Sequence, residues 1–270
     1  MFINASVYII GMEKIFVAGP PVSGELFYGR KEVLESIKFG NNYALLGIRR
    51  VGKTSIILEL TKKLKKQGIT PVVVSLFEVS PLNIENFLKR YTLAVTRAYL
   101  QDASLVKKIE GFFSGQKEGL ISFLKNVKVS VSLQEIVELW FEYGENKPKD
   151  YTQAIEKTIL YPEKLAKESN KKIVVFLDEF QEIKNLGILN ALRENMQKTT
   201  RVNYVISGSA VGLLAQIVGS RKSPFYGFFL QKQIRGLSEE SAEKLLSRTK
   251  KKRITIEPSV VQKVFQKTRC

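Results

Sequence analysis

Gly47-Ile-Arg-Arg-Val-Gly-Lys-Thr54, followed by Ser55, combines the residue types best suited to chemistry in this chain. Two glycines separated by four residues, then Lys and Thr, make a phosphate-binding pattern. Glycine at 47 and 52 lets the backbone bend tightly and leaves room for phosphate oxygens. The N–H groups of Ile48, Arg49, Arg50, Val51 and Gly52, with the helix N-terminus behind them, then point at the anion. Lys53 is placed to reach the β- and γ-phosphates, and the Thr54 hydroxyl to ligate Mg²⁺. The competing explanation is a glycine-containing turn that happens to end in Lys-Thr. Context decides against it: the apolar run Tyr43–Leu46 reads as a strand before the loop, and Thr54–Gln67 as an amphipathic helix after it.

The second such stretch is Lys171-Lys-Ile-Val-Val-Phe-Leu-Asp-Glu-Phe-Gln181. Five apolar residues followed by Asp178-Glu179 read as a buried strand that delivers two carboxylates at its C-terminal end, where open parallel sheets bind ligands. Asp178 suits the Mg²⁺ shell, and Glu179 suits the general base that polarises an attacking water. A strand end carrying two solvated acids has the same pattern; the phosphate-binding loop upstream makes the pair its expected partner. Val202–Ser209 reads as another strand, ending in Ser207 and Ser209. These serines either sense the γ-phosphate and orient water or are ordinary turn residues.

Composition narrows the chemistry further. The 270 residues include no histidine, which excludes Ser-His-Asp catalysis and His-ligated metals, and the single cysteine, Cys270, excludes an intrachain disulfide. Carboxylates, lysines, hydroxyls and backbone amides remain, the groups phosphoryl transfer uses. A net charge of +17 fits either attraction to nucleic acid or a lysine-rich solvated surface. No apolar run is long enough to cross a bilayer and the N-terminus lacks the pattern of a secretory signal, so the expectation is a cytoplasmic protein with no membrane partner.

The elements alternate as an α/β fold requires. Before the first core strand, Gly19–Gly24 is turn-rich and Lys31–Phe39 suggests a short helix; Phe27 and Tyr28 either face an adenine or fill core. Ile69–Phe77 reads as a second strand. A mostly helical insertion is expected over about 80–150. In it Ile84, Phe87, Leu88, Tyr91, Val95 and Tyr99 share one helical face, Phe112–Leu124 suggests a further helix, Val127–Leu133 alternates like a strand, and Trp140 reads as packing. Tyr151–Ser169, Leu186–Lys198 and Val211–Val218 read as helices and Phe229–Leu237 as a fifth strand. Ser238 N-caps a further helix, and Val260, Val261, Val264 and Phe265 mark a last amphipathic segment.

Four segments in order, Phe27-Tyr-Gly-Arg-Lys-Glu32, Gly47–Ser55, Leu177-Asp-Glu-Phe-Gln181 and Ile206-Ser-Gly-Ser209, resemble archaeal-type P-loop ATPases of the STAND/AAA+ (ASCE) group, related to replication-initiation ATPases. The resemblance implies a three-layer sandwich around a mainly parallel five-stranded sheet of order 5-1-4-3-2, an ATPase core over 1–237 and a helical lid beginning at 238–270. It also implies ATP and Mg²⁺ as ligands, slow hydrolysis coupled to a conformational switch, and an adenine side built by Phe27, Tyr28 and Arg30. Relatives often carry Tyr-Gly-Arg after the fourth strand. Here the segment is Pro224-Phe-Tyr-Gly-Phe228, so Arg221, Lys222 and Arg235 become the candidates for the missing cation. The chain stops just short of the turn that leads to a winged helix in relatives. Beside the ATPase switch stand two other functions: a DNA-binding module whose state ATP sets, and a scaffold that forms a homo-oligomer on ATP binding.

Overall fold

The computed structural model describes residues 20–100 and 150–246. The expectations for Phe112–Leu124, Val127–Leu133, Trp140, Val260–Phe265 and Cys270 lie outside these residues.

Five strands lie among the described residues: the apolar β1 (Tyr43–Leu46), the largely β-branched β2 (Ile69–Ser75), β3 (Lys172–Asp178) and β4 (Val202–Gly208), and the polar edge strand β5 (Leu230–Gln233). All pairings are parallel, and the spatial order β2-β3-β4-β1-β5 is the expected 5-1-4-3-2. Among the described residues, seven α-helices accompany them: α1 (Lys31–Ser36), α2 (Lys53–Lys66), α3 (Ile84–Tyr99), α4 (Thr152–Glu168), α5 (Leu189–Met196), α6 (Val211–Gly219) and α7 (Glu239–Leu246).

Strand alternation divides the core in two. Ile173, Val175 and Leu177 of β3, with Ala44, Leu46, Tyr204 and Ile206, pack under α3, α4, α5 and α6. Val174 and Phe176, with Tyr43, Leu45 and Val205, pack under α1 and α2, where Ile56, Ile57, Leu60 and Leu64 close the face. Helix, sheet, helix is the three-layer sandwich. The helical face expected in α3 is present, with Phe87, Leu88, Tyr91 and Val95 fully buried.

Three elements are shorter than their sequence patterns. β2 stops at Ser75 because its partner β3 stops at Asp178, and Leu76–Glu78 turns into a 3₁₀ segment. β5 ends at Gln233 because β1, its partner, gives way to the loop after Leu46. The helix expected over Leu186–Lys198 is α5 alone; Gly187 lies in the left-handed region (φ 69°) and ends a 3₁₀ turn, Phe180–Leu186, that precedes it. Each β-strand C-terminus thereby opens onto one edge of the sheet, where both chemically equipped stretches converge.

Candidate nucleotide-binding site

At that edge lies a cleft of about 920 Å³, lined by residues 48–55 of the loop and helix, Asp178 and Glu179 of the acidic strand end, and a wall that includes Phe27, Tyr28, Arg30, Leu237 and Leu245. Gly52 takes a left-handed backbone (φ 100°, ψ 20°) as the N-cap of α2, with open space where a Cβ would stand. Arg50 also has positive φ (65°), a conformation that a side-chain-bearing residue adopts at a cost of about 1 kcal/mol or more. Gly47 carries a further constraint: a Cβ there would lie 2.7 Å from the carbonyl of Ile234, the residue after β5, so the glycine admits that backbone.

Lys53 is 5% exposed, and its Nζ donates to the carbonyls of Gly47 (2.8 Å) and Ile48 (2.9 Å). Burial holds its pKa below the usual lysine value, and the nearby charges of Glu179 and Asp178 oppose that shift. Thr54 Oγ1 donates to Asp178 Oδ2 at 3.0 Å, bringing together the two residues expected at the metal. Asp178 Oδ1 accepts from the Ser207 hydroxyl and from the Glu179 N–H (3.1 Å). Ser207 is fully buried and reaches the cleft only through Asp178.

Asp178 and Glu179 are consecutive, so an extended strand would send their side chains to opposite faces. A left-handed backbone at Glu179 (φ 58°, ψ 43°) breaks the alternation and turns its carboxylate toward the end of β4. There Oε2 accepts from the Ser209 N–H and hydroxyl (both 2.9 Å) and from Gln181 Nε2 (2.7 Å). Ser207 and Ser209, two apart on one strand face, therefore serve one acid each.

The remaining expected residues are distributed as follows. Ser55 lines the cleft and its Oγ accepts from Val22 N–H (3.0 Å), and Glu59 one turn on accepts from Gly24 N–H (2.5 Å), so α2 anchors the segment before α1. Phe27 packs against the core beneath α1 and α2 and also lines the cleft. Tyr28 lines the cleft. Arg30 donates to Val51 O (3.1 Å) and Gly236 O (3.2 Å), tying the phosphate-side loop to the stretch between β5 and α7, and burial lowers its pKa. None of Arg221, Lys222 and Arg235 lines the cleft; its cations among the described residues are Arg30, Arg49, Arg50 and Lys53. Phe228 instead joins an aromatic cluster with Phe225 and Phe229, its ring covered by the Arg193 guanidinium at 4.1 Å.

No family model matches the sequence, and no curated protein does. Solved structures do match. Over 93% of its length the chain superposes on a Walker-type ATPase of Pyrococcus abyssi, with a TM-score of 0.58 and 17% identity. This is the P-loop NTPase fold. The likeness to archaeal P-loop ATPases expected from the sequence is thus found at the level of fold. Weaker matches are the Aeropyrum pernix ORC1 protein in complex with DNA (TM-score 0.46, 12% identity, 84% of this chain) and the ORC2 protein of the same organism in its ADPNP-ADP complexes (0.42, 11%, 82%). The chain spans 66% of the Pyrococcus protein, 51% of ORC1 and 48% of ORC2. No helix among the described residues is long and apolar enough to cross a membrane.

Two residues of the site had no role in the sequence reading. Gln181 belonged to a quoted motif, but nothing in its spacing showed that the turn at Glu179 folds its side chain back onto that carboxylate. Gly208, between two serines, reads as a turn glycine; it is needed because a Cβ there would stand 2.1 Å from Gln181 Oε1.

Proposed function

We propose that this protein binds ATP with Mg²⁺ in the cleft and hydrolyses it slowly, using the released energy for a conformational switch. The observation that carries the reading is the convergence of Thr54 and Asp178, 3.0 Å apart, beside the buried Lys53 and the Glu179 carboxylate. Phosphate-side N–H groups at the start of α2 favour the triphosphate through geometry and the helix dipole. Lys53, now on two backbone carbonyls, would exchange them for β- and γ-phosphate oxygens. Thr54 and Asp178 supply hard oxygen donors and would hold Mg²⁺, which typically takes one or two protein oxygens together with substrate phosphates. The ion, when bound, neutralises phosphate charge. Glu179 takes the proton of the attacking water, and the γ-phosphoryl group passes to that water's oxygen while ADP leaves.

Slow turnover follows from Phe228 in place of the arginine that relatives carry and from the distance of Arg221, Lys222 and Arg235 from the cleft lining; an arginine at the transferring phosphoryl group raises rates by about 10³- to 10⁵-fold. The switch is supported by Arg30, which joins the phosphate-side loop to Gly236, and by the packing of Gly29 on α7, where a Cβ would lie 2.6 Å from Ser241 Cβ. α7 is then the start of the lid, with Leu245 on the cleft wall beside Phe27 and Tyr28, the adenine side. Glu179→Gln should bind ATP as the wild type does and lose about 10²- to 10⁴-fold in kcat. Normal hydrolysis by this variant refutes the assignment of the base.

The net charge of +17 favours a second reading, in which ATP sets a DNA-bound state. Duplex affinity that falls steeply with salt supports it, and absent or salt-insensitive binding returns the charge to a solvated surface. Oligomerisation on ATP binding is a third, read by sedimentation with and without nucleotide.

A further inference from the structure

We infer that Gln181 is a positioning residue for Glu179, holding the carboxylate in one orientation so that Oε1 is the oxygen turned to the water; this rests on the reading of Glu179 as the base. Gln181 is 3% exposed, wedged between the turn after β3 and the end of β4. Its Nε2 donates to Glu179 Oε2 at 2.7 Å and faces Glu182 Oε1 at 3.4 Å. Two carboxylates on that side fix which end of the amide is nitrogen, because the reversed amide would set its oxygen against both. The other end, Oε1, is buried without a hydrogen-bond partner. A buried polar atom left unpaired is a cost a purely structural position would shed, since an apolar side chain of the same shape fits the wedge at no such cost.

The neighbouring residues are arranged around this wedge. Gly208 leaves out the one side-chain atom that would collide with Gln181 Oε1. Ser209, next in sequence, gives Glu179 Oε2 its other two hydrogen bonds. Three donors on a single oxygen, from two elements, hold a carboxylate that the left-handed turn has already aimed. A general base must lie within hydrogen-bond reach of the proton it removes, and loss of alignment by an ångström lowers rate without lowering affinity. Gln181 does not line the cleft; it acts through Glu179.

The test is the isosteric Gln181→Met variant of the full chain, with two readouts. Structures of the nucleotide-free wild type and variant should show Glu179 Oε2 on Ser209 in one orientation in the first and the carboxylate turned away or in several orientations in the second. Kinetics should show kcat reduced about 10- to 100-fold with KM for ATP and the affinity for a non-hydrolysable analogue unchanged. The variant sheds the orphaned oxygen but also the Nε2 hydrogen bond to Glu179, so it should stay folded at the assay temperature and melt within a few degrees of the wild type. Gly208→Ala, which forces Gln181 aside, should reproduce the kinetic defect. An unmoved Glu179 in Gln181→Met, or an undiminished kcat, overturns the inference, as does a loss of activity that goes with global unfolding at the assay temperature. Should the wild type hydrolyse no ATP, the base assignment falls, while the structural comparison still decides whether Gln181 positions Glu179.

Discussion

Acids flank β4 at both ends, buried Glu163 before it and buried Asp178 with half-buried Glu179 after it, and the balance of their partners differs. Before the strand, Glu163 of α4 (3% exposed) accepts from the N–H of Thr200 (3.1 Å) and of Arg201 (2.8 Å), from the Thr200 hydroxyl (2.8 Å), and pairs with Lys167 at 3.3 Å. After the strand, Asp178 accepts from the hydroxyls of Thr54 and Ser207 and from the Glu179 N–H, and Glu179 from the Ser209 N–H and hydroxyl and a side-chain amide. Glu163 closes backbone N–H groups that the chain itself leaves open before β4, and no ligand could replace it. Two of the three donors to Asp178 are hydroxyls, which can rotate to new acceptors and release a carboxylate oxygen to a cation. Burial alone marks neither role; the chemistry of the partners does.

The contrast predicts opposite responses to truncation. Glu163→Ala leaves buried N–H groups unpaired and should cost on the order of 3 kcal/mol, lowering the melting temperature by roughly 6–12 °C. Asp178→Ala frees two hydroxyls that find other acceptors and one part-buried Glu179 N–H, and should cost less, about 1 kcal/mol, in the same thermal melts. Equal losses in the two variants would remove the distinction.

Acid titration sharpens it. Burial alone would raise the Glu163 pKa, but the Arg201 N–H, the Thr200 hydroxyl, Lys167 and the Thr200 N–H outweigh it and bring it below 4.5. A carboxyl with a depressed folded-state pKa contributes stability that is present above its unfolded pKa and lost as pH falls through the folded one. Denaturant melts of the wild type should therefore weaken as pH drops below 4.5, and Glu163→Gln should flatten that part of the profile.

A smaller effect is expected at alkaline pH. Burial lowers the Lys53 pKa from 10.5 in the free protein, and phosphate oxygens favour its charged form. Nucleotide binding should then take up a proton once pH passes the free-state value, and affinity should fall by a few-fold, on the order of tenfold at most, as pH rises toward 10.5. Calorimetry in buffers of different ionisation heat reads the uptake, and Lys53→Arg should abolish it because arginine does not titrate there.

Much of this molecule is legible in its sequence because the relevant signals are local. Apolar runs bounded by glycine and charge marked β1 to β4, and the loop Gly47–Thr54 with Asp178 marked the two sides of the cleft before their 3.0 Å approach was seen. What stayed hidden depends on pairing across the fold. β5 could not be trimmed to Leu230–Gln233 without knowing that it pairs with a strand of four residues. Gly47 reads as a phosphate-loop glycine, and only the approach of Ile234 shows its second constraint. Arg30 lies 206 residues from Gly236, and no spacing rule connects them. The left-handed turn at Glu179, on which the placement of Gln181 depends, is unfavourable for a residue with a side chain and has no sequence signature.

The central claim, that Thr54 and Asp178 form the cation-holding half of an ATP site, is tested most directly by titrating a non-hydrolysable ATP analogue into wild type and Asp178→Asn, each with magnesium and with chelator. The wild type should bind at least about tenfold tighter with magnesium than without it, and Asp178→Asn should bind equally in both conditions while remaining folded. Magnesium dependence that survives intact in Asp178→Asn, or a wild type that binds no adenine nucleotide, would contradict the claim.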